Sequence, residues 1–172
     1  DAGHAAKATP LAERALGLFE QAYGAEDPRL AVRLVSMAML QEGVNPALIE
    51  NAAKRIGMPV GPLAVADEVT IDLQWKVIRQ TEQDLGRKFV KPVAYEVVQK
   101  FVEELKRPGR RFGAGFYDYP QDAKKHLWPG LREVFPSAVV QLPVGEAEKR
   151  MLYIQALEAA RCMEEGVVTT AA

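Results

Sequence analysis

Five prolines in this 172-residue chain, Pro10, Pro28, Pro46, Pro62 and Pro92, each open a run of apolar residues at helical spacing. Proline has no backbone N–H and a φ fixed near −65°, so a helix accepts it in the first turn and resists it further in. Thr9, Asp27 and Asn45 stand directly before three of these prolines, and their side chains suit N-caps. This punctuation fixes where helices begin. The first run carries Leu11, Ala15, Leu18 and Phe19 up to Tyr23; the second carries Leu30, Leu34, Met37 and Leu40 and stops at Gly43, a C-cap. The third buries Leu48, Ile49 and Ala52 and ends at Gly57. The fourth runs from Pro62 toward Gly86, and the fifth carries Val97, Val98, Phe101, Val102 and Leu105 as far as Pro108-Gly109. A last helix spans 145–165, with Leu152, Ala156, Ala159/Ala160 and Met163 as its apolar stripe and Gly166 as its cap. Period-2 alternation is nearly absent, so the expected class is all-α, a helical bundle.

Bulk properties remove several functions. An apolar fraction of 48% supports a real core, and a net charge of −1 offers no basic surface for nucleic acid. No apolar run is long enough for a membrane span, and the first residues lack a signal-peptide pattern. The single cysteine, Cys162, forms no internal disulfide and fits a reducing, cytoplasmic setting. It reads as inert core.

Three stretches break the helical texture. Gly57 to Leu73 packs Gly57, Pro59, Gly61 and Pro62 into six residues, then places Asp67 and Glu68 in an apolar run. Gly61, just before Pro62, can take a backbone conformation closed to other residues. Adjacent helical residues point about 100° apart, so Asp67 and Glu68 do not readily share a proton or a metal. The favoured reading has Asp67 satisfying a backbone or side-chain partner and Glu68 solvated. Arg110 to Pro120 is glycine-rich and aromatic and reads as a tight turn or brief extended segment. Residues 121–144, interrupted by Pro129, Pro136 and Pro143, read as short helices and loops. QEGV at Gln41–Val44 and EEGV at Glu164–Val167 stand 123 residues apart and each ends a long apolar helix, which points to a duplicated unit. On that offset Leu34 falls on Leu157 and Leu40 on Met163.

Together Glu42–Leu73, Gly109–Tyr119 and Lys149–Val167 resemble the C-terminal domain of 3-hydroxyacyl-CoA dehydrogenases, NAD-dependent enzymes of fatty-acid β-oxidation. The nearest likeness is to the multifunctional alpha-subunit type. The matching motif residues are Gly57, Pro59, Gly61, Pro62, Asp67, Glu68, Gly113, Gly115, Phe116 and Tyr117, read as mainly structural. The resemblance implies a fold like the 6-phosphogluconate dehydrogenase C-terminal domain, with a first repeat (29–120), a proline-rich connection (121–144) and a truncated second repeat (145–172); the N-terminal helix and tail (1–28) are of unassigned origin. It also implies a dinucleotide-binding domain as packing partner, acyl-CoA as a ligand and homodimerisation as an option.

The chemistry of that family is not found here. No G-x-G-x-x-G loop joins a strand to a helix; the one close glycine pair, Gly113-Ala114-Gly115, opens no helix. The family's catalytic His-Glu dyad lies upstream of this domain. His4 and His126 sit on no motif match, and Glu26 and Asp27 occupy the positions of the family's Asn-Arg pair. No catalytic, cofactor-binding or metal residue is therefore assigned. NAD is expected in the parent enzyme and not on this chain. Arg110 and Arg111, beside Phe112, Phe116, Tyr117 and Tyr119, are candidates for contact with acyl-CoA, set against the favoured reading of a packed aromatic turn with solvated arginines. Trp75, Trp128 and the methionines read as packing. Two functions follow: the substrate-side, domain-packing portion of a 3-hydroxyacyl-CoA dehydrogenase, inactive alone; or a free-standing helical acyl-CoA-binding or assembly module.

Overall fold

A computed structural model describes residues 28–92, 94–164 and 166. The helix read over Pro10–Tyr23 and its caps lie outside the described residues. The elements are α1 (Pro28–Gln41), α2 (Pro46–Arg55), α3 (Pro62–Val69), α4 (Ile71–Leu85), α5 (Tyr95–Gln99), β1 (Tyr117–Asp118), β2 (His126–Leu127), α6 (Leu131–Val134) and α7 (Val144–Glu164). The fold is all-α: the sheet among the described residues is one antiparallel pair, with Tyr117 opposite Leu127 and Asp118 opposite His126.

The proline punctuation holds at Pro28, Pro46 and Pro62, each of which opens a helix. Asn45 Oδ1 accepts from the Ala47 N–H at 2.9 Å, and Pro46 begins α2. Gly43 closes α1 at φ +83°, a conformation that disfavours a side chain. Buried Leu34, Met37, Met39 and Leu40 of α1 form the centre of the core, with Ile49 and Ala52 from α2 and Leu63 and Ala66 from α3. Helix α7 packs across α1 and α2, and its Arg150 Nη1 lies 2.6 Å from Glu42 Oε2 at the end of α1.

Three expectations need correction. The helix read from Pro62 to Gly86 is two helices, broken at Thr70. Thr70 sits at φ 72°, unusual for a β-branched residue, and its Oγ1 accepts from the Leu73 N–H at 3.3 Å to start α4. The break is tertiary in origin: the Pro108 carbonyl accepts from the Asp72 N–H at 3.2 Å, and a Cβ at Gly109 would lie 3.0 Å from Thr70 Cα. The fifth helix begins at Tyr95, three residues after Pro92, and widens into a π-helical turn over Lys100–Glu104. That turn sets Phe101 against Phe116, ring centroids 4.2 Å apart.

The third correction concerns α7. Its buried face is Ala147, Met151, Ile154, Glu158 and Cys162. The stripe read from sequence is exposed, Leu152 at 45% and Met163 at 48%. The helix has two apolar faces, and hydrophobicity alone does not say which one α1 and α2 cover. Within the proposed repeat, Leu40 is buried while its counterpart Met163 faces out.

Candidate functional site

The two motif segments converge on a pair of buried carboxylates. Asp67 projects from the inner face of α3 alongside Leu63 and Ala64 and is fully buried. Its Oδ1 accepts from the Phe116 N–H at 2.8 Å, and its Oδ2 from the Tyr117 N–H and the Tyr119 hydroxyl, each at 2.9 Å. Glu50 lies on the buried face of α2. Its Oε1 accepts from the Leu63 N–H at 2.7 Å, at the open start of α3, and its Oε2 from the Tyr117 hydroxyl at 2.6 Å. Tyr117 thus bonds both carboxylates, one through its backbone and one through its phenol.

The glycines make room for this pair. A Cβ at Gly61 would stand 2.0 Å from Glu50 Oε2, and one at Gly115 would stand 2.0 Å from Asp67 Oδ1. Gly61 does not use the special backbone conformation open to glycine: its φ of −68° and ψ of 154° are ordinary extended values. What the position requires is the absence of a side chain. Gly57 and Gly113 do use glycine's freedom, at φ +98° and +80°. Pro62 occupies the first turn of α3 and is buried, while Pro59 is exposed.

Arg107 holds the turn from the opposite side. Its Nε donates to the Gly115 carbonyl at 2.8 Å, and its Nη2 donates to the Tyr117 carbonyl at 3.1 Å and to Asp118 Oδ1 at 2.5 Å. The guanidinium lies 4.2 Å from the Trp128 ring centroid. Asp67 thus receives the turn's N–H groups and Arg107 its carbonyls, which accounts for both kinds of buried backbone group.

Burial is the main influence on the Asp67 carboxyl and pushes it up to about 6, against the Phe116 and Tyr117 N–H bonds, the Tyr119 hydroxyl and the Arg107 charge, all of which favour ionisation. Burial likewise raises the Tyr117 and Tyr119 phenols, helped by Glu50 at the first and Asp67 at the second. Both phenols stay protonated and able to donate.

The surface residues do not form one binding face. Glu68 is ion-paired with Arg110 and has Lys125 Nζ at 3.9 Å, so neither Glu68 nor Arg110 is the simply solvated group expected. Arg111 is exposed, and Phe112 is 56% exposed, whereas Phe116 is fully buried. His126 Nε2 lies 3.4 Å from Asp118 Oδ2 on an exposed hairpin. A cavity of about 340 Å³ lies elsewhere, lined by Ala38, Gln41, Glu42, Lys91, Tyr95 and Glu96, none of them a sequence candidate. Among the described residues no group of His, Cys, Asp and Glu could hold a metal ion.

Sequence reasoning missed Glu50, Arg107 and Tyr119 as partners of the motif. Glu50 had a signal: a lone carboxylate between Ile49 and Ala53 on an apolar helix face. Arg107, among several nearby basic residues, had none. The turn also fails as a dinucleotide cradle. The Gly113 and Gly115 N–H groups are bonded within the turn, to the carbonyls of Arg110 at 2.8 Å and Tyr117 at 3.0 Å, and no helix follows to receive a pyrophosphate. The carboxylate pair therefore acts as a fastening: its acceptors are taken up by the turn and by the start of α3.

Known proteins are similar to this chain in sequence. A family model described as 3-hydroxyacyl-CoA dehydrogenase, C-terminal domain, matches residues 29–119. Glu50, Gly61, Asp67, Arg107, Gly115, Tyr117 and Tyr119 all fall within that span. A fatty acid oxidation complex subunit alpha from Shewanella loihica is 35% identical over 137 residues, covering 77% of this chain and 18% of the relative. Its namesake from Shewanella frigidimarina is 33% identical over 136 residues, covering 77% of this chain and 19% of the relative. The namesake from Shewanella amazonensis is 34% identical over 137 residues, with the same coverage. The matched span is under a fifth of each relative's length.

Proposed function

Since this chain belongs to the 3-hydroxyacyl-CoA dehydrogenase C-terminal domain family, we propose that it serves as the substrate-side, domain-packing portion of an NAD-dependent 3-hydroxyacyl-CoA dehydrogenase of fatty-acid β-oxidation. The observation that carries this reading is the coincidence of the family match with the carboxylate fastening. Residues 29–119 contain the whole Glu50–Tyr117–Asp67 network, a buried fastening whose four carboxylate oxygens are all taken up by hydrogen bonds within the fold. In the parent reaction a hydride passes from the 3-hydroxyl carbon to NAD. The chemistry and the nucleotide belong to a dinucleotide-binding domain, and this chain encloses the substrate side. Acyl-CoA is bound by the assembled enzyme, in the cytoplasm, with Arg111 more available to it than Arg110, whose charge is already matched by Glu68.

The test has two arms. The 172-residue chain, assayed alone with acetoacetyl-CoA and NADH, is expected to show no reduction above background. A chimaera in which this chain replaces the corresponding segment of the Shewanella loihica relative is expected to reduce the same substrate. Turnover by the isolated chain at an ordinary enzymatic rate, or binding of NAD to it in calorimetry, would overturn the division of labour.

A further inference from the structure

The cavity of about 340 Å³ lies between the last turn of α1 and the start of α5, and none of its lining residues belongs to the Glu50–Tyr117–Asp67 network. That volume is at the small end of ligand sites. Its wall is apolar and aromatic: Pro92 and Tyr95 are buried, and Ala38 is half-buried. The Tyr95 ring is fixed by Trp75, edge-on with centroids 5.1 Å apart, and by Phe89 at 6.3 Å. Lys91 Nζ lies 4.5 Å from the Tyr95 ring centroid. An ammonium over a tyrosine face is attracted by the ring's quadrupole. The chain thus places a cation of its own on this wall.

The rim is acidic. Glu96 is exposed, and its Oε2 accepts from Gln41 Nε2 at 3.1 Å. This neutral partner orients the carboxylate and leaves its charge unmatched. Among the described residues no cation stands within ion-pair distance of Glu96. Glu42 is paired with Arg150, but Arg150 Nε also lies 3.6 Å from Glu146, so one guanidinium serves two carboxylates. An entering anion would meet Glu42 and Glu96. An entering ammonium would meet a carboxylate at the rim and an aromatic face at the wall.

We propose that this cavity binds a small organic amine in its ammonium form, with the charged nitrogen between Tyr95 and Glu96 and the hydrocarbon against Ala38 and Pro92. Lys91 holds the nitrogen's place on the ring and gives it up when the ligand enters, so it is a built-in competitor. The site stands apart from the dehydrogenase reading and does not depend on it.

Proton–nitrogen correlation NMR on the 172-residue chain tests this with n-butylammonium, n-butanol and n-butyrate, which share one hydrocarbon chain and differ in charge. The expected result is a saturable shift at Gln41, Glu42, Lys91, Tyr95 and Glu96 with n-butylammonium, with a dissociation constant of about 1 mM. The other two probes are expected to bind at least about tenfold more weakly. Lys91→Met keeps the stem and removes the competing charge, and should tighten n-butylammonium binding about threefold. Glu96→Gln should weaken it about threefold. Both positions are exposed, and unchanged signals from the core check that each variant is folded. No saturable shift with n-butylammonium overturns the proposal, and so does n-butyrate binding as tightly. Weaker binding after Lys91→Met, or indifference to Glu96→Gln, overturns it as well. Tighter binding of Nα-acetyl-lysine amide than of n-butylammonium would make the ligand a protein's lysine and overturn the free amine.

Discussion

Asp67 offers two oxygens and receives three hydrogen bonds, two of them from backbone N–H groups, one on each oxygen. An amide has a single carbonyl oxygen, so Asp67→Asn leaves the Phe116 or the Tyr117 N–H facing an NH₂ group. The expected loss at pH 7 is about 1–3 kcal/mol, measured by denaturant unfolding. The pH dependence separates the charge from the geometry. The folded-state pKa near 6 is above the unfolded value of 3.8, so the folded protein holds this proton more tightly. The contribution of Asp67 is therefore fully present below the unfolded pKa of 3.8 and is lost as pH rises through the folded value near 6, by roughly 3 kcal/mol in all for a shift of about two units. The advantage of the parent protein over Asp67→Asn should shrink between pH 4 and pH 7; an advantage that grows over that range would contradict burial as the dominant influence. Glycines give a second contrast. Gly115→Ala drives a Cβ into Asp67 and is expected to cost about 3 kcal/mol or prevent folding, whereas Gly145→Ala, in open space near the start of α7, is expected to be neutral or to stabilise by up to about 1 kcal/mol in thermal melts. Asp67 was legible in the sequence because it interrupts an apolar run. Its partners were not, because Phe116 and Tyr117 lie 49 and 50 residues further along and no local pattern links them to it.

Helix boundaries were legible wherever the cause was local. Asn45-Pro46 starts α2, and Gly43 and Gly57 end α1 and α2, each by its own chemistry. The break at Thr70 was not legible, because neighbouring Val69 and Ile71 carry no turn signal and the cause is the approach of Pro108-Gly109 from a distant segment. The same distant segment explains what Arg107 does for the glycine turn. Its planar fork reaches two carbonyls and the Asp118 carboxylate together, a geometry an ammonium does not reproduce. Arg107→Lys keeps the charge and loses the fork. The expected outcome is faster amide hydrogen exchange at Gly115–Asp118 with little change in α1 and α2, and a stability loss of about 1–3 kcal/mol. Equal loosening of α2 would mean that the turn is fastened through the core and not through Arg107.

Whether the molecule is one cooperative unit turns on α7, which closes the bundle over α1 and α2. Adjacent residues of this helix have opposite surroundings: Met151 is fully buried, and Leu152 is 45% exposed. Periodicity in the sequence showed that a helix was there and picked the wrong face, because both faces are apolar and only the shape of the α1–α2 surface decides between them. The two positions therefore test the assembly. Met151→Ala removes a side chain from the centre of the packed layers and should cost about 2–5 kcal/mol. Leu152→Ala, on the exposed face, should stay within about 0.5 kcal/mol. If α7 and the first helices unfold together, Met151→Ala, in a Trp128→Phe background, lowers the midpoint seen by far-ultraviolet circular dichroism and the midpoint seen by Trp75 fluorescence equally, since Trp75 lies in α4 and α7 packs mainly on α1 and α2. Separate midpoints, with the Trp75 transition unmoved, would mean that α7 docks as an independent element on a core that folds without it.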